Sequence, residues 1–398
     1  MKLWTNGKKL DKQIEEFTVG NDYLYDQQLV EYDCLASSAH AELLCSKKII
    51  SDKELKAIDD ELNKIIELNK KGKFVVKQSD EDIHTKIENH LSKKLGETGK
   101  KIHTLRSRND QVLVAMQLYS KKKIKETINE TKNLVNGLKD FYKKNPGIKM
   151  PGYTHMQKAM PYSVSQWAES FAYSLEIDVK ALELAYELND ENPLGSAAGY
   201  GLPIKTNVGL TTKKLGFKKH FKNALYVQNT RMKKQFQTIA ALLQVSMTLN
   251  KLASDLMLFT TSEFGFFSLP EEFCTGSSIM PQKNNYDVLE ILRSESSFVF
   301  SQLSQLFCTA NNLMSGYNRD HQQGKQCMIE SFEAVIQSVK VSQKIISNLE
   351  VNKGALEKAC SEEIFAAQKA IELSLKGIPF REAYKKVCKQ NKKNNKHN

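Results

Sequence analysis

The stretch IAALLQVSMTLNKLASDLMLF, residues 239–259, places apolar side chains on more than one face of the helix that it would form. A surface helix has a single apolar stripe, so a helix that is apolar around most of its circumference must be buried on several sides. The stretch lies within a longer segment, roughly residues 229–263, and a helix of about 30 residues is about 45 Å long. We therefore predict an all-α fold whose long helices form a bundle that neighbouring subunits complete.

Other segments have the length and apolar periodicity of long helices. They cover roughly residues 110–145, 161–190 and 286–313. Asn109 or Asp110 is predicted to cap the first of these helices, and Pro161 suits the first turn of the second. We predict an N-terminal helical domain (1–105), a central long-helix domain (106–350) and a short C-terminal helical domain (351–398). Beyond about residue 389 the sequence KQNKKNNKHN predicts a disordered tail.

The composition is that of a globular protein, with 40% hydrophobic and 26% charged residues among 398. No apolar run reaches the roughly 18–20 residues that span a bilayer, and the N-terminus lacks the apolar core of a signal peptide. The seven cysteines are scattered, without a CxxC pair, which argues against a disulfide framework or a zinc site. These observations predict a cytoplasmic protein that is not a membrane protein.

The net charge of +12 comes from lysines that are spread over most of the chain. A nucleic-acid-binding protein concentrates its basic residues on one surface, so we do not expect nucleic-acid binding. The arginines are few: 106, 108, 231, 293, 319 and 381. Two of them fall in Arg106-Ser107-Arg108, and the planar guanidinium group suits a carboxylate or a phosphate.

The candidate catalytic and binding residues lie in the loops between the long segments. In EFCTGSSIMPQKNNYD (272–287), Gly276 allows close backbone approach and consecutive amides can bind an anion. Ser277 or Ser278, near Lys283, is a candidate base or nucleophile, or alternatively a cap for the following helix.

The histidines of two other segments are further candidates. His155 lies in PGYTHMQKAMP (151–161), which we interpret as a loop, and is suited either to proton transfer or to a structural role. Glu290 is either its orienting carboxylate or a solvated helix residue. His84 and Glu88, one helical turn apart, form an incomplete metal site or, as we favour, a structural hydrogen-bonded pair.

The loops together, and in this order, resemble argininosuccinate lyase, a family of the fumarase/aspartase superfamily. GSSIMPQKNN (276–285) is similar to the superfamily signature GSSxMPxKxN, and HTLRSRNDQV (103–112) resembles the HTGRSRNDQV element of this family. The segments EDIH (81–84), THMQ (154–157), PLGSAAGYG (193–201) and YNRDHQ (317–322) fit the same family.

The resemblance implies an all-helical homotetramer with a central bundle of long helices, in which each active site is assembled from three chains. It also implies the reversible β-elimination of the small-molecule substrate argininosuccinate to arginine and fumarate. This is the last step of arginine biosynthesis, and it requires neither a metal nor an organic cofactor.

The resemblance also assigns roles by position. Ser277 aligns with the catalytic base, Lys283 and Asn285 with the groups that stabilise the carbanion, and His155, paired with Glu290, with a proton-transfer group. The positions that match substrate-binding residues are Asp26, Arg108, Asn109, Thr154, Asn285, Tyr317, Gln322 and Lys325.

Some positions depart from the family pattern. Leu105, Asn284 and Tyr286 replace residues that are usual in the motifs, and Asp22 stands near the usual serine contact. The C-terminus is shorter than expected. Two alternatives stay open: another superfamily lyase similar to adenylosuccinate lyase, and a non-catalytic structural relative of the crystallin type.

Overall fold

The structure, a computed structural model, describes residues 11–394 and is mainly helical, as the sequence predicts. Its α-helices are α1 (Lys12–Val19), α2 (Asp22–Asp26), α3 (Val30–Ser46), α4 (Asp52–Lys70), α5 (Ile83–Leu95), α6 (Glu97–Lys100), α7 (Arg108–Lys144), α8 (Val164–Asn189), α9 (Val208–Lys214), α10 (Ala224–Phe259), α11 (Asp287–Ala310), α12 (Gln323–Ser347), α13 (Lys353–Ala359), α14 (Ala366–Leu375) and α15 (Phe380–Asn394). Short 3-10 turns cover Gln27–Leu29, Gln78–Asp80, Lys101–His103, Glu271–Phe273, Arg319–Gln322 and Glu362–Phe365.

The first predicted long helix exists, but its start differs from the prediction. Helix α7 begins at Arg108 rather than after Asn109 or Asp110. The reason is local, because Ser107 N–H donates to Asp110 Oδ1 at 3.0 Å and Asn109 N–H donates to Ser107 Oγ at 3.2 Å. These two bonds give hydrogen-bond partners to backbone N–H groups at the start of the helix, and the helix therefore begins directly after Ser107. The helix ends at Lys144, close to the predicted stop.

The other long helices lie near the predicted segments, and α12 is an additional one. The prediction for Pro161 was wrong, since α8 begins only at Val164 and Pro161 lies in a preceding strand. At the other end of the chain, α15 continues to Asn394, so residues 389–394 are helical where the sequence predicts a disordered tail. The remainder of that predicted tail, 395–398, lies outside the described residues.

Short strands form four two-stranded sheets in the described residues. The strands are β1 (Lys149–Thr154), β2 (Gln157–Ser163), β3 (Glu191–Asn192), β4 (Lys219–His220), β5 (Phe267–Ser268), β6 (Thr275–Gly276), β7 (Asn284–Asn285) and β8 (Glu350–Val351). The pairs β1–β2, β5–β8 and β6–β7 are antiparallel, whereas β3–β4 is parallel. The segment 151–161 is therefore not the loop that we predicted but most of a β-hairpin.

The hairpin turn places two residues in the left-handed region of backbone space. His155 has φ 54° and Met156 has φ 60°. Positive φ at both central residues is the requirement of the two-residue type I′ turn, whose twist matches that of the flanking strands. Histidine tolerates this conformation better than β-branched residues do. His155 therefore lies at the tip of the β1–β2 hairpin rather than in an irregular loop.

The described chain divides into two compact units. One contains the residues up to 129, together with 180–244 and 297–336, and the other contains 130–179, 245–296 and 337–394. Every boundary between them falls inside a long helix. The units therefore do not coincide with the three consecutive domains (1–105, 106–350 and 351–398) that we predicted from the sequence.

Helices α3, α4 and α5 form an apolar cluster in the first unit. The side chains of Ile58, Leu62 and Ile65 on α4 are at most 2% exposed, and burial of each contributes about 1.5–3 kcal/mol. Helix α4 starts at a capping box, in which Ser51 Oγ accepts from Glu54 N–H and Glu54 accepts from Ser51 N–H at 2.8 Å. This end of the unit is thus fixed by local signals and by packing.

In the second unit, aromatic packing surrounds Trp167 on α8. Its ring stacks on Phe267 at 5.0 Å and meets Phe171 edge-on at 5.4 Å. The indole Nε1–H donates to Asp255 Oδ2 at 2.9 Å, so the buried ring has its polar atom satisfied.

Long helices also carry apolar side chains that stay exposed in the single chain. On α8, Tyr173, Ile177, Leu184 and Leu188 are spaced by four, seven and four residues, and are 37% to 62% exposed. This spacing puts them on one helical face. On α11, Ile291, Phe298, Phe300 and Phe307 are 40% to 61% exposed. Extended apolar faces of this kind mark contact surfaces.

No helix in residues 11–394 combines the length and hydropathy needed to cross a membrane.

Candidate active site

The first unit contains a cavity of about 380 Å³. It is lined by Val19, Asp22, Glu81, Asp82, His84, His103, Ser107, Arg108, Asn109, Val112, Met116, Arg231, Gln235, Tyr317, Arg319, His321, Gln322 and Lys325. Five of the predicted substrate-binding residues are among them: Arg108, Asn109, Tyr317, Gln322 and Lys325. Such a concave site with many convergent polar groups is typical of a small-molecule site.

The start of α7 positions Arg108 and Asn109 in this cavity. Asp110, which is fully buried, accepts from Gly195 N–H and Ala197 N–H at 2.9 Å each, in addition to Ser107. One carboxylate therefore joins the first turn of α7 to the loop that contains Gly195. Our sequence reasoning missed this role of Asp110.

Arg106 and Arg108 have different environments although they are neighbours in the motif. Arg106 is buried and donates to Ser37 Oγ at 2.9 Å, so it belongs to the core of the unit. Arg108 faces the cavity, where its guanidinium contacts Asp82 and lies 3.4 Å from Glu81 Oε1. Of the two arginines, only Arg108 lines the cavity and can contact a ligand there.

The predicted residues Asp26 and Lys325 form a buried ion pair. Lys325 contacts Asp26 and lies 2.7 Å from Asp22 Oδ2. Asp26 also accepts from Ile83 N–H at 2.9 Å and does not line the cavity, whereas Asp22 does. Burial alone would lower the pKa of Lys325, but Asp26 and Asp22 raise it. Burial and the neighbouring Asp26 raise the pKa of Asp22, despite its contact with Lys325.

The segment 317–322 closes one side of the cavity against the end of α1. Gln322 Nε2 donates to the carbonyl oxygens of Thr18 and Val19 at 3.3 Å, and Arg319 donates to Thr18 at 3.0 Å. The ring of Tyr317 lies 5.8 Å from that of His321. This loop and the N-terminal helices are thus held together by side chains of the predicted binding motif.

The predicted pairing of His84 with Glu88 was wrong. His84 is hydrogen-bonded to the fully buried Asp33, while Glu88 accepts from His103 at 2.8 Å. Burial alone would raise the pKa of Asp33, but His84 and Arg106 lower it. Within the described part of the chain, no group of three or more His, Cys, Asp or Glu side chains is arranged to hold a metal ion.

The second unit holds the remaining predicted residues. Thr154 and His155, at the tip of the β1–β2 hairpin, are exposed. Glu290 is exposed on the first turn of α11. Among the described residues, no hydrogen bond or ion pair joins His155 to Glu290. The pair that the resemblance implies is therefore not formed within one chain.

The loop between β6 and β7 carries Ser277, Lys283 and Asn285. Ser277 Oγ accepts from Met280 N–H at 3.1 Å, and Lys283 N–H donates to Met280 O at 3.0 Å. Ser277 thus stabilises a turn of its own loop and does not cap α11, which begins at Asp287. Ser277 is half-buried and Lys283 is exposed.

The predicted site residues therefore fall into two groups. The residues that line the cavity belong to the first unit, and Thr154, His155, Ser277, Lys283, Asn285 and Glu290 belong to the second. The first group contains cations and carboxylates that can bind an amino acid or a polycarboxylate. The second contains a hydroxyl, an imidazole and an ammonium group, which can move a proton and stabilise negative charge.

Sequence comparison finds relatives along almost the whole chain. The profile of a family described as Lyase matches residues 5–301. The argininosuccinate lyase of Thermotoga neapolitana is 43% identical over 98% of this chain and 98% of its own length. That of Phocaeicola vulgatus is 38% identical over 97% of this chain and 86% of its own length.

Solved structures share the fold. A fumarate lyase:delta crystallin from Brucella melitensis bound to cobalt superposes with a TM-score of 0.80 at 19% identity, covering 93% of this chain and 85% of that one. A class II fumarase from Schistosoma mansoni gives a TM-score of 0.78 at 17% identity, over 91% and 87%. An EDDS lyase in complex with formate gives 0.78 at 20%, over 96% and 76%. These likenesses confirm the predicted fumarase/aspartase-type fold.

Proposed function

The chain belongs to the argininosuccinate lyase family, and from this membership we propose that it catalyses the reversible β-elimination of argininosuccinate to L-arginine and fumarate. The observation that carries the proposal is the 43% identity to an argininosuccinate lyase over 98% of both chains. The cavity of the first unit supports it, since its guanidinium, ammonium and carboxylate groups suit a substrate that carries both charges.

We assign the chemical steps to the residues of the second unit. Ser277 removes the proton from the carbon next to a succinate carboxylate, and Lys283 and Asn285 stabilise the negative charge that develops on that carboxylate. The carbon–nitrogen bond then breaks, and the electron pair left by the proton becomes the double bond of fumarate. His155, oriented by Glu290, assists protonation of the leaving guanidino nitrogen.

Residues of both units bind the substrate in this proposal. Arg108 and Asn109, with Thr154, bind the succinate carboxylates. Tyr317, Gln322 and the Lys325–Asp26 pair shape the pocket for the arginine half, with Asp22 as the carboxylate that faces the cavity. The reaction needs no metal and no organic cofactor in this scheme, and the cytoplasmic location stays a prediction.

The reaction itself is tested with two substrates. We expect purified protein to release fumarate, measured by ultraviolet absorbance, from argininosuccinate and not from adenylosuccinate. Release of fumarate from adenylosuccinate alone would instead support an activity similar to that of adenylosuccinate lyase. An assembled protein that acts on neither substrate would support a structural relative of the crystallin type. L-Arginine should appear in a one-to-one ratio with fumarate, which serves as the internal control.

We further propose a homotetramer in which each site combines loops of three chains. The separation of the predicted residues into two groups supports it, as does the missing contact between His155 and Glu290 in one chain. The exposed apolar faces of α8 and α11 supply contact surface for such a bundle.

Complementation tests the shared site. Ser277→Ala and His155→Ala homotetramers should each be inactive, and mixed tetramers should regain activity at about a quarter of the sites, because random mixing leaves that fraction with both side chains. Subunits are exchanged by mild denaturation and refolding, and fumarate release is measured. Mixing of Ser277→Ala with Lys283→Ala, which lie on the same loop, is the control and should regain nothing. An inactive mixture with confirmed mixed tetramers would count against the arrangement.

A further inference from the structure

A tight turn at residues 103–106 joins two segments that line the cavity of the first unit. Its closing hydrogen bond runs from Arg106 N–H to His103 O, at 3.3 Å. Side chains on both sides of the turn line the cavity, namely His103, Ser107, Arg108 and Asn109. The geometry of the 103–106 turn therefore determines where Arg108 and Asn109 lie relative to His103.

The backbone of this turn has the type II conformation, which is unfavourable for the leucine that it contains. Thr104 has φ −56° and ψ 134°, and Leu105 has φ 63°. A type II turn requires positive φ at its third residue, where glycine or asparagine is usual. The Cβ atom of a leucine strains the backbone in this left-handed region. The 103–106 turn therefore has to be held by contacts outside it.

The side chain of Leu105 supplies one of these contacts. It is partly buried and packs against the apolar cluster of α3, α4 and α5, to which Ile102 also belongs. Burial of apolar surface is favourable, and strained conformations persist where the surrounding structure fixes them. The packing of Leu105 thus offsets the strain of its backbone.

His40 supplies a second contact, at the central peptide of the turn. Type I and type II turns differ in the orientation of this peptide, which joins Thr104 to Leu105. The carbonyl oxygen of Thr104 accepts from His40 Nε2–H at 2.8 Å. His40 is buried, and this burial and the nearby Arg106 lower its pKa to about 3, so the imidazole is uncharged at neutral pH. The bond keeps the central peptide in the type II orientation.

We infer that Leu105 is a positioning residue for substrate binding, an inference that rests on the proposed function. Arg108 and Asn109 are assigned to the carboxylates of the succinate half, and they follow the turn closely. Leu105 does not line the cavity. It acts through Arg108, because a turn that is fixed before the substrate arrives presents the guanidinium group without further loss of conformational entropy.

The inference predicts a particular order among substitutions at position 105. Alanine keeps the Cβ atom and therefore the backbone strain, but it loses the packing on the apolar cluster. Glycine loses the same packing and loses the strain as well, since it adopts positive φ readily. The turn should therefore relax towards type I in Leu105→Ala and stay type II in Leu105→Gly.

The test combines steady-state kinetics with argininosuccinate and calorimetric binding of fumarate, both on the assembled enzyme. We expect Leu105→Ala to raise KM by about three- to tenfold, to weaken fumarate binding by a similar factor and to keep kcat within about twofold of the wild type. Leu105→Gly should return KM and the Kd of fumarate to within about twofold of the wild type, although it removes more of the side chain. Leu105→Asn, which tolerates positive φ, should behave like the glycine variant.

Leu68→Ala is the matched control. Leu68 lies on α4, is partly buried and packs against the same apolar cluster, but it does not line the cavity. The change removes the same atoms from the same cluster, so it should lower the free energy of unfolding, measured in urea, without changing KM or the Kd of fumarate. A general loss of stability is thereby separated from a change in the 103–106 turn.

Three results overturn the inference. In the first, Leu105→Ala leaves KM and fumarate binding unchanged. In the second, glycine and asparagine weaken binding as much as alanine does, which would mean that the turn conformation is not the cause. In the third, Leu68→Ala raises KM equally.

A second variant covers a failure of Leu105→Ala to assemble. Leu105→Ser also keeps the Cβ atom and loses the packing, so it decides by the same comparison with glycine. Failure of the proposed function has a separate signature, namely that the wild type releases no fumarate from argininosuccinate.

Discussion

Replacement of Ser277 by alanine is expected to lower the turnover of argininosuccinate by about 10²- to 10⁴-fold, the contribution of a positioned general base. The substrate still binds, because Arg108 and the other cavity groups are untouched. The expected change is therefore in kcat, measured from fumarate absorbance under saturating substrate.

The loop supplies a matched control for this experiment. Ser278 is the neighbouring serine and is exposed, whereas Ser277 is half-buried and accepts from Met280 N–H. Ser278→Ala should keep turnover within a few-fold of the wild type. Native mass measurement should show the same assembly for both variants. Near-normal turnover in Ser277→Ala, or an equal loss in both variants, would remove Ser277 from its role as the base.

The second large effect is expected from Lys325→Met, which should lower the free energy of unfolding by about 3–5 kcal/mol. Lys325 is 5% exposed and paired with Asp22 and Asp26. Methionine fills a similar volume but leaves both carboxylates without their cation. Urea unfolding at pH 7, followed by circular dichroism, measures the loss.

An exposed lysine pair provides the comparison. Lys70 lies 3.0 Å from Glu67, and both side chains are more than half exposed, so Lys70→Met should leave the free energy of unfolding nearly unchanged. The deficit of Lys325→Met should also shrink on acidification. The carboxyls that Lys325→Met leaves buried without a cation are disfavoured in their charged form, so the cost falls as acidification protonates them in the folded protein. Equal losses in the two lysine variants, or a deficit independent of pH, would contradict this account.

The long helices were predictable because their apolar pattern extends over many turns. The ends of the helices were less predictable, because several neighbouring side chains can accept the hydrogen bonds of the first turn. Asn109 and Asp110 are both suitable N-cap residues, but Ser107 satisfies the first turn, and the carboxylate of Asp110 is shared with Gly195 and Ala197. That second contact joins distant segments and leaves no local signal in the sequence.

In the candidate site, too, some features could be predicted from local sequence, whereas others depend on contacts between distant segments. Arg108 and Lys325 could be predicted because they lie in motifs, and the structure places both on the cavity. His84 was assigned to Glu88 from helical spacing, but its partner is Asp33, 51 residues earlier in the chain. Arg231 had one signal, its rarity as an arginine in a lysine-rich chain. Its burial depends on packing near Tyr317, which periodicity within α10 cannot indicate.

Each unit is built from three separate segments of the chain, which affects how the protein folds during its synthesis. The apolar cluster of α3, α4 and α5 lies within the first 102 residues and can form as soon as they leave the ribosome. The rest of the first unit has to wait for residues 297–336, and the second unit for the residues beyond 337. At synthesis rates of roughly 5–20 residues per second, this wait lasts about 10–40 s. Until those residues emerge, neither unit has its full set of packing partners, so part of the apolar surface of α7, α8 and α10 stays exposed to solvent.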